Sequence, residues 1–164
     1  MASGDTLAVL WPEGNQATGA GVATYTTRNK HGILQFDASS NEIAIWSVLM
    51  PEHYGGGGVT VVPHYSMASA TSGDVDWDGQ FERVGDGQQD VDSDGFAAAN
   101  SQNNITVPAT SGHVDIPTGI TFTDGADMDS VAAGEKFRFE LTRDAANDTA
   151  AGNAEIHLVH IKET

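Results

Sequence analysis

Short segments of alternating apolar and polar residues recur along the chain, whereas helical periodicity is almost absent. Such alternation is typical of β-strands that bury one face. In the segment 74–83, Val75, Trp77 and Phe81 fall on one side of the strand, because strand side chains alternate with period two. The segment 136–143 repeats this pattern with three large apolar residues. These two segments are therefore expected to anchor a core.

The alternating segments together predict eight or nine strands. They are 6–11, 21–27, 32–36, 42–49, 59–67, 75–84, 113–122, 136–142 and 154–161. Residues 126–133 predict one short helix, which Asp124 or Asp127 caps and Gly134 ends. Because 164 residues suffice for one ordinary domain, the prediction is a single all-β domain over 1–164. Its class is an antiparallel β-sandwich of the jelly-roll type.

The segment 85–106 is polar and predicts a long excursion from the sandwich. Loops of this length in a compact domain are usually functional or ordered by a partner. Within it, Asp90, Asp92 and Asp94 precede a glycine, as in the first half of a calcium-binding EF-hand loop. The twelfth position is Ser101 instead of Glu, and no helices flank the loop. A calcium site on the three aspartates and a solvated acidic loop are the two alternatives.

The net charge of the chain limits the classes of partner that the protein is expected to bind. Asp and Glu number 23 against 7 Lys and Arg, which gives a formal net charge of −16. Because such a surface repels phosphates, we expect neither a nucleic-acid partner nor an anionic membrane. No apolar run approaches the roughly 18 residues of a membrane helix, and the first residues do not resemble a signal peptide. The favoured interpretation is a salt-tolerant surface; a cation requirement and a basic partner stay open.

Motifs that carry catalysis are missing from the sequence. There is no cysteine, and the six histidines do not follow a zinc-ligand spacing. His157 and His160 are expected on opposite faces of one strand. Asp74, Asp76 and Asp78 are expected in a row on one exposed face, where like charges need salt, a cation or basic neighbours. Since nucleophile elbows and phosphate loops are also missing, we expect no enzymatic activity and no cofactor besides the candidate calcium.

Aromatic residues are candidates for binding surfaces. Those considered for a sugar-stacking platform are Trp11, Tyr25, Trp46, Tyr54, Tyr65 and Trp77. Alternation assigns Trp77 to the core. The strand 42–49 is apolar on both faces, so it must be covered either by the second sheet and a loop or by another subunit. The predicted subunit contacts are Trp46, Leu49, Tyr54 and Tyr65.

Several segments resemble small virion proteins of tailed bacteriophages, and the similarity runs over most of the chain. These segments are 1–7, 71–77, 81–88 and 133–139, together with Arg143 and Asp144. The resemblance implies a jelly-roll structural protein of the particle, either a capsid decoration protein or a tail-fibre module, commonly trimeric. It transfers no functional residue by position.

The expected function is therefore a capsid decoration (cement) protein on the outer surface of the virion. It would form a homotrimer, bind the major capsid protein or other virion proteins across capsomer boundaries, and gain affinity from multivalency. One alternative is a tail-fibre or receptor-binding module, or a Ca²⁺-dependent carbohydrate-binding β-sandwich. The other alternative is an extracellular filament subunit, which would form open polymers instead of closed rings.

Overall fold

A computed structural model describes residues 3–87 and 89–164. Met1, Ala2 and Gln88, which belong to segments that carry the phage resemblance, lie outside the described residues. The described part of the chain contains ten strands and no α-helix. It includes no helix of the length and hydrophobicity that crossing a membrane requires.

The ten strands follow one another with two short 3-10 turns between them. They are β1 (Thr6–Leu10), β2 (Thr24–Arg28), β3 (His31–Phe36), β4 (Glu42–Leu49), β5 (Val59–Met67), β6 (Asp74–Val84), β7 (Asn100–Thr106), β8 (Ile120–Phe122), β9 (Lys136–Arg143) and β10 (Ala154–Glu163). The 3-10 turns are Pro12–Gly14 and Ala126–Met128.

The strands form two antiparallel sheets that pack face to face, which confirms the predicted jelly-roll sandwich. Sheet 1 has the order β2-β3-β10-β5-β8, and β1 also pairs with β10. Strand β3 pairs with the beginning of β10 and β1 pairs with its end, so the two share one edge of this long strand. Sheet 2 has the order β4-β9-β6-β7. Since β10 lies at the centre of sheet 1, it positions most of the side chains discussed below.

Aromatic side chains fill the space between the sheets. The predicted core residues Trp77 and Phe81 are fully buried. The ring of Phe81 contacts those of Phe122 and Phe139, with centroids 4.9 and 5.1 Å apart. The ring of Trp77 lies edge-on to Phe36 at 5.1 Å. Burying each large apolar side chain contributes roughly 1.5–3 kcal/mol, so this cluster holds the two sheets together.

Part of the predicted excursion is a strand. β7, which occupies the last third of the segment 85–106, pairs with β6 at the edge of sheet 2. Before β7, Phe96 and Ala97 lie against side chains of sheet 2. There, Gln80 donates a 2.8 Å hydrogen bond to the carbonyl of Ala97, and the Arg138 guanidinium lies 5.1 Å from the ring centroid of Phe96.

The predicted helix over 126–133 is wrong. Only the 3-10 turn at its start is helical, because Asp129 and Ser130 adopt left-handed backbone conformations with φ of 53° and 57°. Asp127 accepts hydrogen bonds from the backbone N–H and the hydroxyl of Thr123, which closes the turn. The predicted strand 113–122 is also shorter, since only its last three residues form β8.

Candidate functional site

The residues predicted to form subunit contacts lie mostly inside the chain. Trp46, Tyr54 and Tyr65 are 3, 8 and 0% exposed, whereas Leu49 is 59% exposed. The free edge of β4 is covered by the chain itself, because the backbone N–H groups of Gln16 and Ala23 donate to the carbonyls of Ile45 and Ile43. Contacts with other subunits stay a prediction from sequence for these four residues, of which Leu49 alone is exposed.

The aspartates of the predicted calcium site are exposed. The Asp90 carboxylate accepts a 3.0 Å hydrogen bond from the backbone N–H of Asp92, and the Asp90 carbonyl accepts another from Asp94. These bonds form a tight turn. Among the described residues, no group of three or more His, Asp or Glu is arranged to hold a metal ion. Calcium binding at Asp90, Asp92 and Asp94 stays a prediction from sequence.

Residues of β7 donate hydrogen bonds to the row of carboxylates on β6 and so stabilise their negative charges. Asp74 accepts from the hydroxyl of Thr106, and Asp78 accepts from the hydroxyl of Ser101. The third carboxylate, Asp76, is buried and accepts a 2.6 Å bond from a backbone N–H of β7. The carboxylates therefore hold the edge strand in place.

A β-bulge in β10 determines which side chains occupy the outer face of sheet 1. Ile156 and Leu158 pair with consecutive residues of β5, so His157 is an extra residue between two ladder positions. A bulge of this kind shifts the alternation by one position. His157 and His160 therefore lie on the same outer face, and the expectation of opposite faces is wrong.

Burial lowers the pKa of three imidazoles on this outer face. They belong to His64, His157 and His160. The rings of His64 and His160 lie 6.3 Å apart, and His160 and His157 lower the pKa of His64 further. Since an ordinary histidine has a pKa near 6.5, these side chains are neutral hydrogen-bonding groups at neutral pH.

A cleft of about 470 Å³ opens on the same face, between the β2–β3 hairpin and the segment that precedes β8. Arg28, Ser66 and His157 line it, together with His31 and His113, which are exposed. We call this space the histidine cleft. Its lining brings together side chains from four separated parts of the sequence, so no local motif could reveal it.

A buried carboxylate lies beneath the histidine cleft and holds two of its lining residues in place. Glu155 is 3% exposed and accepts hydrogen bonds from Arg28 Nη1 at 2.6 Å and from Ser66 Oγ at 3.1 Å. Arg28 Nη1 also donates to the carbonyl of Met67. His157 Nε2 lies 2.9 Å from Ser66 Oγ. Because the serine gives its only proton to Glu155, His157 must donate to the serine. This network orients His157 and does not activate Ser66 as a nucleophile.

A second cleft of about 320 Å³ adjoins the first, and His31 and His157 line both. Trp11 and Glu13 form part of its wall. Next to it, the hydroxyl of Tyr25 donates to Glu13 Oε1 at 3.3 Å. Trp11 and Tyr25 are 56 and 49% exposed. The two clefts and Trp11 form one continuous surface, which we call the groove. Tyr25 borders the groove through its hydrogen bond with Glu13.

The shape of the groove depends on the lack of a side chain at Gly32 and on the hydrogen bonds that hold the main chain of Trp11. A Cβ on Gly32 would lie 2.7 Å from Glu13 Oε1 and 2.8 Å from the Tyr25 hydroxyl. The carbonyl of Trp11 accepts hydrogen bonds from Trp46 Nε1 at 2.8 Å and from the N–H of Gly14 at 2.9 Å. Of the three tryptophans, Trp11 alone is exposed. The sequence identified Trp11 and Tyr25 as two of six candidate aromatics, but burial in the fold selects them.

The fold thus defines an all-β antiparallel jelly-roll sandwich with a groove on one outer face. No protein-family model and no curated protein sequence matches the chain. Solved structures that are similar to it include the following two. One is the carbohydrate-binding module TmCBM27, from a study of specific mannan recognition, with a TM-score of 0.45 and 12% identity, covering 92% of this chain and 87% of that one. The other is the E385A mutant of Xylanase10C from Cellvibrio japonicus with xylopentaose, with a TM-score of 0.44 and 10% identity. It covers 100% of this chain, which spans only 28% of that enzyme. At these identities the similarity concerns the fold alone.

Proposed function

We propose that the protein is a non-catalytic carbohydrate-binding β-sandwich that holds a glycan in the groove on sheet 1. The observation that carries this proposal is the pair of exposed aromatic side chains, Trp11 and Tyr25, beside clefts lined with polar groups. Contiguous exposed apolar surface that is rimmed by polar residues marks a binding surface. An aromatic side chain with one apolar face and one polar tip suits a ligand of mixed character.

The chemistry of the groove matches that of a sugar. A pyranose ring has an apolar face of C–H groups, which can stack on an indole or phenol ring, and a rim of hydroxyls, which need hydrogen-bond partners. Glu13 supplies such a partner in the cleft that Trp11 also lines, and it accepts the hydrogen bond from Tyr25. Ligand sites generally combine apolar surface with a few well-placed polar groups.

The main chain of Trp11 is held in place before any ligand binds. Its carbonyl accepts two hydrogen bonds, one of them from the buried Trp46. Pro12 follows directly and fixes the backbone of the 3-10 turn. Less conformational entropy is lost on binding when the contact residue is already ordered. This preorganisation supports a binding role for Trp11.

The groove favours ligand binding over the capsid decoration role expected from the sequence. Three of the four residues that would have formed trimer contacts are buried within one chain. A role in a phage particle remains a proposal that rests on the sequence resemblance. It is compatible with glycan binding if the protein acts as a receptor-binding module of the tail.

Intrinsic fluorescence tests the proposal directly, because Trp46 and Trp77 are buried and Trp11 is exposed. Neutral and acidic oligosaccharides should be screened by calorimetry, and a ligand should change the emission of Trp11. Trp11→Ala should weaken binding at least about tenfold, or about 1.4 kcal/mol. Gly32→Ala should also weaken binding, because its Cβ displaces Glu13 and Tyr25.

Leu49→Ala is the matched control, since Leu49 is equally exposed but lies on sheet 2. It should bind like the wild type. The proposal fails if no oligosaccharide binds, or if Trp11→Ala retains the affinity of the wild type.

A further inference from the structure

The lining of the histidine cleft differs in charge from the rest of the chain. Among the described residues, no carboxylate lines it, although the chain has 23 Asp and Glu against 7 Lys and Arg. The lining instead consists of one arginine, three histidines, one asparagine, three hydroxyl-bearing residues, a glycine and a valine. Hydrogen-bond donors are therefore concentrated where the surface is otherwise acidic.

These donors are available to a ligand. Within the described residues, neither the imidazole of His31 nor that of His113 forms a hydrogen bond, and both are exposed. Arg28 uses Nη1 for Glu155 and for a backbone carbonyl. Its Nη2 lies against Gly112 in the cleft wall, where a Cβ would be 2.9 Å away.

The charge of the cleft depends on pH. The buried Glu155 offsets the charge of Arg28, so the cleft is about neutral while its imidazoles are neutral. Burial lowers the pKa of His157, as do His31 and Arg28, whereas Glu155 raises it. Burial raises the pKa of the core residue Tyr65, and Asp115, which lies two residues after His113, raises it further. Protonation of the imidazoles therefore makes the cleft a positive site.

We propose that the histidine cleft binds a singly charged oxyanion, the carboxylate or sulfate ester of an acidic glycan whose sugar ring lies on Trp11. This inference rests on the proposed function and adds the class of glycan. Charge-assisted hydrogen bonds to an oxyanion are stronger than neutral ones. Glu13 lines the adjoining cleft beside Trp11, but Lys30 lines it too and offsets its charge. Repulsion from more distant carboxylates is screened within about 8 Å at physiological ionic strength, so the donors of the histidine cleft decide the binding.

The test compares three oligosaccharides of the same backbone and length: a uronic-acid form, a sulfated form and a neutral form. Affinities are measured by calorimetry at pH 5.5 and 7.5 in physiological salt. At pH 5.5, at least one acidic form should bind about tenfold more tightly than the neutral form, which corresponds to a rise of one pKa unit in one imidazole on binding. The preference should shrink at pH 7.5. Comparing the uronic-acid form with the sulfated form identifies which oxyanion the cleft recognises.

The variant His31→Asn/His113→Asn should lose the preference for the acidic form, so that it binds the acidic and neutral forms with equal affinity. His53→Asn is the matched control, because His53 is exposed but lies outside the cleft. It should keep the preference. Equal affinities for acidic and neutral forms at pH 5.5, or an unchanged preference in the double variant, would overturn the inference.

A second measurement separates the inference from the proposed function. Sulfate ion is titrated at pH 5.5 while the imidazole NMR signals are followed. Shifts at His31, His113 and His157 that disappear in the double variant support the anion site, even if no oligosaccharide binds. Binding of neutral oligosaccharides without any sulfate shift supports the proposed function and contradicts the anion site.

Discussion

The indole nitrogen of buried Trp46 donates a 2.8 Å hydrogen bond to the backbone carbonyl of exposed Trp11. Trp46 belongs to β4 in sheet 2, whereas Trp11 follows β1 in sheet 1. The bond therefore connects the core of the sandwich to the groove on its outer face. A change at Trp46 should alter binding although Trp46 itself is buried.

We expect Trp46→Phe to weaken glycan binding and to lower the free energy of unfolding by about 1–3 kcal/mol, since it removes one hydrogen bond and part of a buried ring. Trp77→Phe is the control. Trp77 is also buried, but its Nε1 has no hydrogen-bond partner in the described structure. Trp77→Phe should therefore lower stability and leave binding unchanged. Urea unfolding and calorimetry measure the two effects, and equal losses of affinity in both variants would contradict the positioning role.

The glycine run between β4 and β5 contains one position that requires glycine and one that does not. Gly58 has φ of +84°, and a Cβ there would lie 2.5 Å from the carbonyl oxygen of Phe122. Gly58→Ala should therefore lower the free energy of unfolding by about 2 kcal/mol or more. At Gly57 the nearest atom would be 3.5 Å away, and the backbone is outside the left-handed region. Gly57→Ala should leave stability within about 0.5 kcal/mol of the wild type. Chemical denaturation of both variants checks this difference, and similar losses would refute it.

Arg143 is completely buried at the end of β9. It donates to Asp148 at 2.7 Å and to the carbonyls of Gly152 and Ala150 at 2.9 and 3.1 Å. Arg143→Met should lower the free energy of unfolding by about 3–5 kcal/mol, because it leaves a buried carboxylate without its partner.

Two further variants make this prediction specific. Adding Asp148→Asn removes the unpaired charge, so the double variant should recover part of the lost stability. Lys136→Met, at the exposed start of the same strand, should change stability by less than about 0.5 kcal/mol. If Arg143→Met has the same free energy of unfolding as the wild type, the prediction is contradicted, because the carbonyls and Asp148 then do not need Arg143 as a hydrogen-bond donor.

Stability should fall as the pH is lowered from 7.5 to 5.5. Burial holds the pKa of His64, His157 and His160 below the ordinary value in the folded state. The unfolded chain therefore binds more protons as the pH falls through about 6.5, which favours unfolding. Glu140, whose pKa is raised by burial, acts in the opposite direction at lower pH.

Urea unfolding at the two pH values measures this dependence. His64→Gln/His160→Gln should reduce the loss of stability between pH 7.5 and 5.5, whereas His53→Gln should not change it. A wild-type protein that is equally stable at both pH values would contradict the prediction.

The sequence predicted the fold where burial dictates the pattern of residues. The bounds of β4 and β5 agree with the prediction because both strands consist mainly of apolar and β-branched residues. β7 was not predicted, since a polar edge strand has no apolar alternation. Its stability comes from pairing with β6 and from the carboxylate of Asp76. The alanine-rich segment 126–133 favours a helix locally, but the fold places two of its residues in left-handed conformations.

The site was less predictable than the fold. Trp11 and Trp46 both lie in apolar surroundings in the sequence, and only the packing of the sheets decides that one is exposed and the other buried. The residues of the histidine cleft come from distant parts of the chain. A β-bulge leaves no pattern in the sequence of β10 from which the shared face of His157 and His160 could be deduced.

The single unpaired position at His157 is an addition to β10 that the pairing with β5 does not use. Deleting that residue would restore regular pairing and leave each later residue of the strand opposite its present partner in β5 and on its present face. Val159 and Ile161 would stay between the sheets, and the imidazole that reaches Ser66 would be lost. A homologue that lacks this one residue should therefore keep the sandwich and lose one wall of the histidine cleft.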